Sequence, residues 1–155
     1  WNAVVATARA PHWYAAGGVP DTLDGRFDMV SLVLALVLHR IDDDPAHARA
    51  GVELTELFVT DMDGQMRQIG FGDMVVGKQI GRMVGALGGR LGVYRAADGS
   101  DELRAALVRN LWRGNEPDAA GLAHVMAEVA KLRAALAATP VAELVVADRL
   151  GGVAE

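Results

Sequence analysis

One run of twelve residues, Phe27 to Leu38, constrains the fold more than any other part of the chain. Only two of its side chains are polar, Asp28 and Ser31. A helix with one apolar stripe can lie on a protein surface, whereas a helix that is apolar on all sides must be covered by neighbours. Twelve residues are too few to span a bilayer, which takes about 20. The run therefore predicts a central core helix that contacts at least three other helices.

The composition is that of a globular protein with a buried core. The chain has 155 residues, and 52% of them are hydrophobic. Its net charge of −5 comes from interspersed acids and bases, which argues against nucleic-acid binding because that usually needs a basic surface. The absence of cysteine excludes disulfides and thiolate metal sites. We therefore expect one domain over residues 1–155, with no nucleic-acid partner.

Hydrophobic periodicity predicts an all-α fold of about six helices arranged around the central one. The central helix is predicted to be capped by Asp21, Thr22 or Asp24, and the helix after the turn at residues 70–73 by Asp73. The segment from Val141 to Leu150 suits either a helix or a strand. The other predicted helices cover Trp1–Ala10, Ala46–Ile69, Met74–Tyr94, Ser100–Arg113 and Ala119–Ala138.

Two aromatic residues, Trp13 and Tyr14, lie in the connector between the first helix and the central helix. Aromatic side chains in a connector commonly pack it onto the core, which is the interpretation we favour. The alternative is that Trp13 and Tyr14 form an exposed pair that binds a partner. The sequence leaves both possibilities open.

Charged residues on the third and fourth predicted helices indicate two ion pairs. Asp63 and Arg67 are four residues apart and are expected to pair on the outer face of their helix. Asp61 lies at the edge of the apolar stripe, where a carboxylate needs a hydrogen-bonding or cationic partner. We predict that Asp61 pairs across the turn with Lys78 or Arg82.

The fourth predicted helix carries a glycine ridge beside its apolar stripe. Each glycine lowers helix stability by about 1 kcal/mol relative to alanine, so six of them need an explanation. A smooth ridge lets another helix approach closely. We expect the ridge to pack inside, against the central helix, and the alternative is an exposed ridge that binds a client. The ridge consists of Gly77, Gly81, Gly85, Gly88, Gly89 and Gly92.

No motif in the chain indicates catalysis, a metal ion or a cofactor. The residues from Gly72 to Lys78 have the spacing of a phosphate-binding P-loop, but that loop requires a preceding strand and a following Ser or Thr. Here a helix precedes the segment and Gln79 follows it. The residues from Asp61 to Gly64 resemble the start of a calcium loop, but Met66 stands where that loop requires glycine. We therefore expect a protein that is not an enzyme and binds no cofactor.

Two blocks of sequence resemble the ubiquinol–cytochrome c chaperone family, which is related to the mitochondrial assembly factor for cytochrome b. They are VPDTLDGRFDMVSLVLALVLHRI, residues 19–41, and LFVTDMDGQMRQIGFGDMVVGKQIGRM, residues 57–83. The opening WNAVVATARAPHWYAAGGV is similar to the family's N-terminal pattern. The resemblance is strongest over residues 1–113 and weakens after Gly114. Its specific parts are DTLDGRFDM and the spaced pattern DMD…R…GxGD.

The resemblance implies an all-helical, non-catalytic chaperone that holds newly made cytochrome b during assembly of the bc1 complex. It implies a location at the cytoplasmic face of the inner membrane in a bacterium, or on the matrix side in a mitochondrion. Peripheral, reversible membrane contact is expected through the cations Lys78, Arg82 and Arg90. Whether the matching residues contact a client or brace the fold stays open. They are Asp24, Arg26, Asp28, Asp61, Asp63, Gly72, Asp73 and Lys78.

Two other classes of function are compatible with the residues. The first is a helical interaction module with no respiratory-chain client. Such a module can form a homodimer through the glycine ridge at Gly77, Gly81 and Gly85. The second is a haem-binding helical protein, which needs a dry cavity with His39 or His124 inside it.

Overall fold

The computed structural model describes residues 1–97 and 99–146. Within these residues the regular secondary structure is helical throughout, with eight α-helices and one 3₁₀ turn at Pro45–His47. The all-α prediction is confirmed, and the assignment of residues 1–155 to one domain stays a prediction. The helices are α1 (Asn2–Ala8), α2 (Pro11–Ala15), α3 (Leu23–Asp42), α4 (Ala48–Gln68), α5 (Asp73–Ala96), α6 (Ser100–Leu111), α7 (Ala119–Ala138) and α8 (Val141–Val146).

Helix α3 forms the centre of the fold. Thr22 caps it, because its hydroxyl oxygen accepts a hydrogen bond from the backbone N–H of Gly25 at 3.1 Å. Every side chain from Met29 to Leu38 is buried, and Leu34 is 0% exposed. Helices α1, α4, α5, α6 and α7 all contact α3. The prediction of a central helix covered by at least three others is confirmed.

Close contacts fix the connector that leads into α3. A Cβ atom at Gly25 would lie only 1.9 Å from the carbonyl oxygen of Pro20, so this position requires glycine. Farther back, the indole N–H of Trp112 donates to the carbonyl oxygen of Gly18 at 2.9 Å, which ties the connector to the end of α6. Before it, Pro11–Ala15 form the short helix α2, which the sequence analysis did not predict.

Several helix ends differ from their predicted positions. Asp73 is the first residue of α5, and Gly72 takes the capping position that was predicted for Asp73. Gly99 similarly precedes α6 as its capping residue. The ambiguous segment after Pro140 is helical over Val141–Val146, and the rest of the predicted segment, residues 147–150, lies outside the described residues.

A glycine in the left-handed region ends α4 and turns the chain into α5. Gly70 has φ of +97°, which L-residues with side chains rarely adopt. Its backbone N–H donates to the carbonyl of Arg67 at 3.0 Å, and that of Phe71 donates to Met66 at 3.2 Å. These two bonds form a Schellman motif, which satisfies carbonyls that the helix end would leave unpaired. The motif places Phe71 beside the end of α4.

Two arginines on neighbouring helices also satisfy helix C-termini. Arg40 of α3 donates from Nε to the carbonyl of Leu136 at 3.0 Å and from Nη2 to that of Thr139 at 3.2 Å. Arg133 of α7 donates to the carbonyls of Tyr94 and Ala97 at 2.9 and 3.1 Å. A cation at the C-terminal end of a helix also meets the favourable end of its dipole. These bonds fix the ends of α5 and α7 relative to the core.

The glycine ridge of α5 faces outward, so the expectation that it packs against the central helix is wrong. Helix α5 buries Val76, Leu87 and Tyr94, which lie on a different side of the helix from the ridge. A Cβ atom added at any of the six ridge glycines would meet no atom of the described residues within 4 Å. The ridge therefore lowers the helix propensity of α5 without permitting a close approach inside the fold.

The burial of α3 predicts the effect of a charge at its centre. We expect Leu34→Asp to abolish cooperative folding, because a buried unpaired carboxylate costs several kcal/mol, which is a large part of the stability of a small domain. Thermal unfolding followed by circular dichroism measures this. The matched control is Leu23→Asp on the first turn of the same helix, where the side chain is 50% exposed. Cooperative melting of the Leu34→Asp variant would contradict the placement of α3.

The outward orientation of the ridge predicts that alanine stabilises α5. Gly81→Ala and Gly85→Ala are each expected to raise the free energy of unfolding by roughly 0.5–1 kcal/mol, because the added methyl group meets open space and glycine is a poor helix former. Chemical denaturation measures the change. Gly25→Ala is the opposite control, and it should destabilise the protein because of its contact with Pro20. A loss of stability in both ridge variants would show that the ridge is packed.

Candidate functional site

A groove opens where the N-terminal half of α3, the C-terminal half of α4 and the inner face of α5 meet. Its volume is about 730 Å³, which lies within the usual range for ligand pockets. Val5 of α1, Arg9 just after that helix and Arg113 just after α6 also line it. We call this feature the α3–α4–α5 groove.

Apolar side chains make up about half of the groove lining, and several of them remain open to solvent. Leu23 at the start of α3, Ile69 at the end of α4 and Phe71 in the Schellman turn are 50%, 53% and 39% exposed. Exposed apolar residues that cluster in one concave surface are typical of binding sites rather than of ordinary surface. The apolar lining residues are Val5, Leu23, Phe27, Val30, Met62, Met66, Ile69, Phe71, Met83 and Ala86.

An ion pair between Asp28 of α3 and Arg90 of α5 forms part of the groove wall. Asp28 is 1% exposed, and its carboxylate accepts a hydrogen bond from Arg90 Nη2. Burial raises the pKa of Asp28, and the nearby Arg90 and Arg113 partly oppose that shift. The guanidinium of Arg90 also lies over the ring of Phe27, 5.2 Å from its centroid, in a cation–π contact. The pair joins the central helix to α5.

Arg113 connects the end of α6 to the acidic residues at the start of α3. Its Nη2 lies 3.1 Å from a carboxylate oxygen of Asp24 and 3.7 Å from one of Asp28. The backbone of Arg113 has φ of +54°, in the left-handed region that non-glycine residues seldom adopt. Arg26, also in the groove, pairs instead with Asp21 at 2.6 Å.

The predicted ion pair of Asp61 with Lys78 or Arg82 is wrong within the described residues. The carboxylate of Asp61 accepts a hydrogen bond from the side-chain amide of Gln65, one turn along α4, at 3.0 Å. A partner four residues away on the same helix satisfies the carboxylate without bridging to α5. Asp61 and Arg82 nevertheless both line the groove.

The bridge between α4 and α5 is made by Arg67. Its Nε pairs with Asp63 at 2.6 Å, which confirms the predicted outer-face pair. Its Nη1 reaches Asp73 at the start of α5. Asp63 and Asp73, two of the residues that match the family pattern, therefore brace the α4–α5 junction and do not line the groove.

The remaining predicted site residues lie away from the groove. Trp13 is buried, with its indole N–H donating to the carbonyl of Thr7 at 2.7 Å, and the hydroxyl of Tyr14 donates to the carbonyl of Ala8 at 2.9 Å. This geometry fits the packing interpretation, because Trp13 offers almost no surface to a partner. The rest of the predicted site residues are exposed and do not line the groove: Gly72, Gly77, Lys78, Gly81 and Gly85.

Sequence reasoning assigned four of the motif residues that line the groove, Asp24, Arg26, Asp28 and Asp61, and missed several of their neighbours. Arg90 was considered only as a surface cation, yet its side chain is 15% exposed and pairs with Asp28. The sequence contains one indication of the position of Arg90. Arg82, Ala86 and Arg90 are spaced four residues apart and therefore share one face of α5. No sequence signal marked Arg113, whose position depends on the backbone turn after α6.

The described residues contain neither a cluster of metal ligands nor a helix that could span a membrane. Over residues 1–97 and 99–146, no cluster of three or more His, Asp or Glu side chains is arranged to hold a metal ion. In the same residues no helix combines the length and the hydropathy needed to cross a bilayer. His39, named above as a possible haem ligand, hydrogen-bonds through Nε2 to the carbonyl of Leu91 at 2.9 Å.

Comparisons with known proteins agree with this architecture. A crystal structure of the Cbp3 homolog from Brucella abortus superposes with a TM-score of 0.82 at 33% sequence identity, over 96% of this chain and 84% of that chain. A search of curated protein sequences gives no match. The family described as Ubiquinol-cytochrome C chaperone matches residues 15–150, which is most of the sequence. The chain therefore belongs to the ubiquinol–cytochrome c chaperone family.

Proposed function

We propose that the chain is a non-catalytic assembly chaperone that binds the newly made cytochrome b subunit during biogenesis of the bc1 complex. The family supplies the process, and the α3–α4–α5 groove supplies a surface for the client. The observation that carries the proposal is the cluster of half-exposed apolar side chains, Leu23, Ile69 and Phe71, around a groove of about 730 Å³. Such a surface can cover an apolar segment that has not yet been inserted into the complex.

Methionine makes the proposed client surface adaptable. Met83 of α5 is half-buried in the groove lining, and Met62 and Met66 of α4 lie at its floor, only 5% and 4% exposed. Methionine has an unbranched, flexible and polarisable side chain, so it repacks readily against different apolar partners. A chaperone that must hold a segment and later release it needs contacts of this kind, which give affinity without a rigid fit.

We also propose that the protein works at the membrane periphery, on the cytoplasmic side in a bacterium or on the matrix side in a mitochondrion. Lys78 and Arg82 are exposed and can meet an anionic lipid surface. Arg90 was predicted to face the membrane with them, but it is paired with Asp28 instead. The net charge of −5 opposes strong attachment, so membrane contact should be local and weakened by salt.

The alternative function, a helical module that forms a homodimer, retains one supporting observation. The glycine ridge is exposed, with Val84 beside it also on the surface, so a second helix can approach α5 there. A mass measurement in solution tests this alternative directly. A monomer whose mass does not change with concentration excludes it, whereas a dimer that the Gly81→Leu variant dissociates supports it.

The groove predicts which surface substitutions abolish client capture. We expect the double variant Ile69→Asp and Phe71→Asp to co-purify about tenfold less cytochrome b from solubilised membranes than the unchanged protein. The reason is that two apolar contacts are lost, which together contribute on the order of 1.4 kcal/mol when buried. Immunoblotting of the purified material measures the captured subunit.

Met74→Asp is the matched control for that experiment. Met74 is 94% exposed on the first turn of α5 and does not line the groove, so its substitution should leave capture unchanged. All variants should keep their melting temperature, because exposed substitutions usually change stability by less than about 0.5 kcal/mol. Equal capture by the double variant and the control would rule out the groove as the client surface.

A further inference from the structure

The charge of the groove differs in sign from the charge of the whole chain. The chain carries a net charge of −5, whereas the groove lining has an excess of two positive charges. A concave surface with apolar walls strengthens the field of the charges that line it. The charged lining residues are Arg9, Arg26, Arg82, Arg90, Arg113, Asp24, Asp28 and Asp61.

The ion pairs within the groove leave part of this positive charge unpaired. Arg113 and Arg90 are engaged by Asp24 and Asp28. Arg82 has only a long contact, from Nη1 to the amide oxygen of Gln79 at 3.5 Å, and no carboxylate of the described residues lies within 4.0 Å of it. Arg82 is therefore an exposed guanidinium on the groove wall with its donors free. The carboxylates of Asp24, Asp28 and Asp61 also line the groove and oppose an anion.

Arg90 carries a second set of hydrogen-bond donors that have no partner. Its Nη2 is bonded to Asp28, but its Nε and Nη1 are buried and have no hydrogen-bond partner. Buried charged donors without partners are unfavourable, and a carboxylate that reaches them gains a charge-assisted bond. Arg82, Ala86 and Arg90 follow one face of α5, so the two guanidiniums lie on the same wall, separated by a small apolar residue.

From this charge complementarity we infer that the groove selects an apolar helical segment that carries a carboxylate, anchored by Arg82 and Arg90. The inference deepens the proposed function and rests on it, since it names the kind of client segment that the groove accepts. The apolar face of the segment packs on Leu23, Ile69 and Phe71, the exposed apolar residues of the groove. Its Asp or Glu side chain accepts hydrogen bonds from the planar fork of donors of Arg82, which is exposed, and takes up the buried donors of Arg90 when the wall around them shifts on binding.

A pair of synthetic peptides tests the carboxylate requirement on the intact protein. Each peptide is an amphipathic helix of about 18 residues, long enough to form a helix on binding, with neutral polar residues on its outer face. One peptide carries a single glutamate within its apolar face and the other carries glutamine there. We expect the glutamate peptide to bind about tenfold more tightly by fluorescence anisotropy, because hydrogen bonds between charged groups are the stronger kind.

Variants of the protein assign the effect to the two arginines. Arg82→Gln should reduce the preference to about threefold or less, since one of the two anchors is lost. Lys78→Gln is the matched control, because Lys78 is an exposed cation on the same helix outside the groove, and it should leave the preference unchanged. Arg90 is tested in the neutral double variant Asp28→Asn and Arg90→Gln, which avoids leaving an unpaired buried carboxylate.

Several outcomes overturn the inference. Equal affinity for the two peptides does so, as does a preference that survives both arginine variants. A lipid surface as the occupant is tested with vesicles that contain phosphatidylserine. If Arg82→Gln abolishes vesicle binding while the two peptides bind equally, the arginines serve lipid and not a client carboxylate.

The peptide-binding and cytochrome b capture experiments together separate this inference from the proposed function. If the unchanged protein prefers the glutamate peptide but captures no cytochrome b from membranes, the named client is wrong and the carboxylate selection stands. If the protein captures cytochrome b and does not distinguish the peptides, the carboxylate selection alone is wrong.

Discussion

The need to cover α3 on all sides determines where the other helices lie. The run from Met29 to Leu38 is buried throughout, and no single neighbour can shield every face of a helix. Five helices therefore pack around it. Cover is less complete near the start of α3, where Leu23 and Phe27 retain exposed surface and line the groove. The α3–α4–α5 groove lies at this end of α3.

The charged residue within the apolar run of α3 lies at the same end. Asp28 is buried, and its pairing with Arg90 attaches α5 to α3 at one position along both helices. A buried ion pair is weak evidence for stability, because desolvation of both groups offsets their attraction, but loss of one partner leaves a costly buried charge. The pair therefore contributes a defined register between α3 and α5. Within the pair, Arg90 keeps two donors, Nε and Nη1, that Asp28 does not use.

The sequence predicted the features that depend on neighbours along the chain. Periodicity predicted the all-α fold and the central helix, and a four-residue spacing predicted the pair of Asp63 with Arg67. Predictions that required the relative orientation of two helices were less successful. The ridge glycines and the apolar residues of α5 both recur at helical spacing, so their sequence positions alone do not show which set faces α3. Asp61 hydrogen-bonds to Gln65 on its own helix, a partner that the sequence prediction did not consider beside Lys78 and Arg82.

The outward glycine ridge bears on how α5 can serve as a groove wall. Glycines at six positions weaken the intrinsic preference of α5 for helix, so its stability depends on the contacts of its inner face. That inner face includes Met83, Ala86 and Arg90, which also line the groove. A segment bound there adds apolar contacts and hydrogen bonds to the face that holds α5 in place. Binding and the order of α5 are therefore coupled, since any ligand that binds the folded wall stabilises it by mass action.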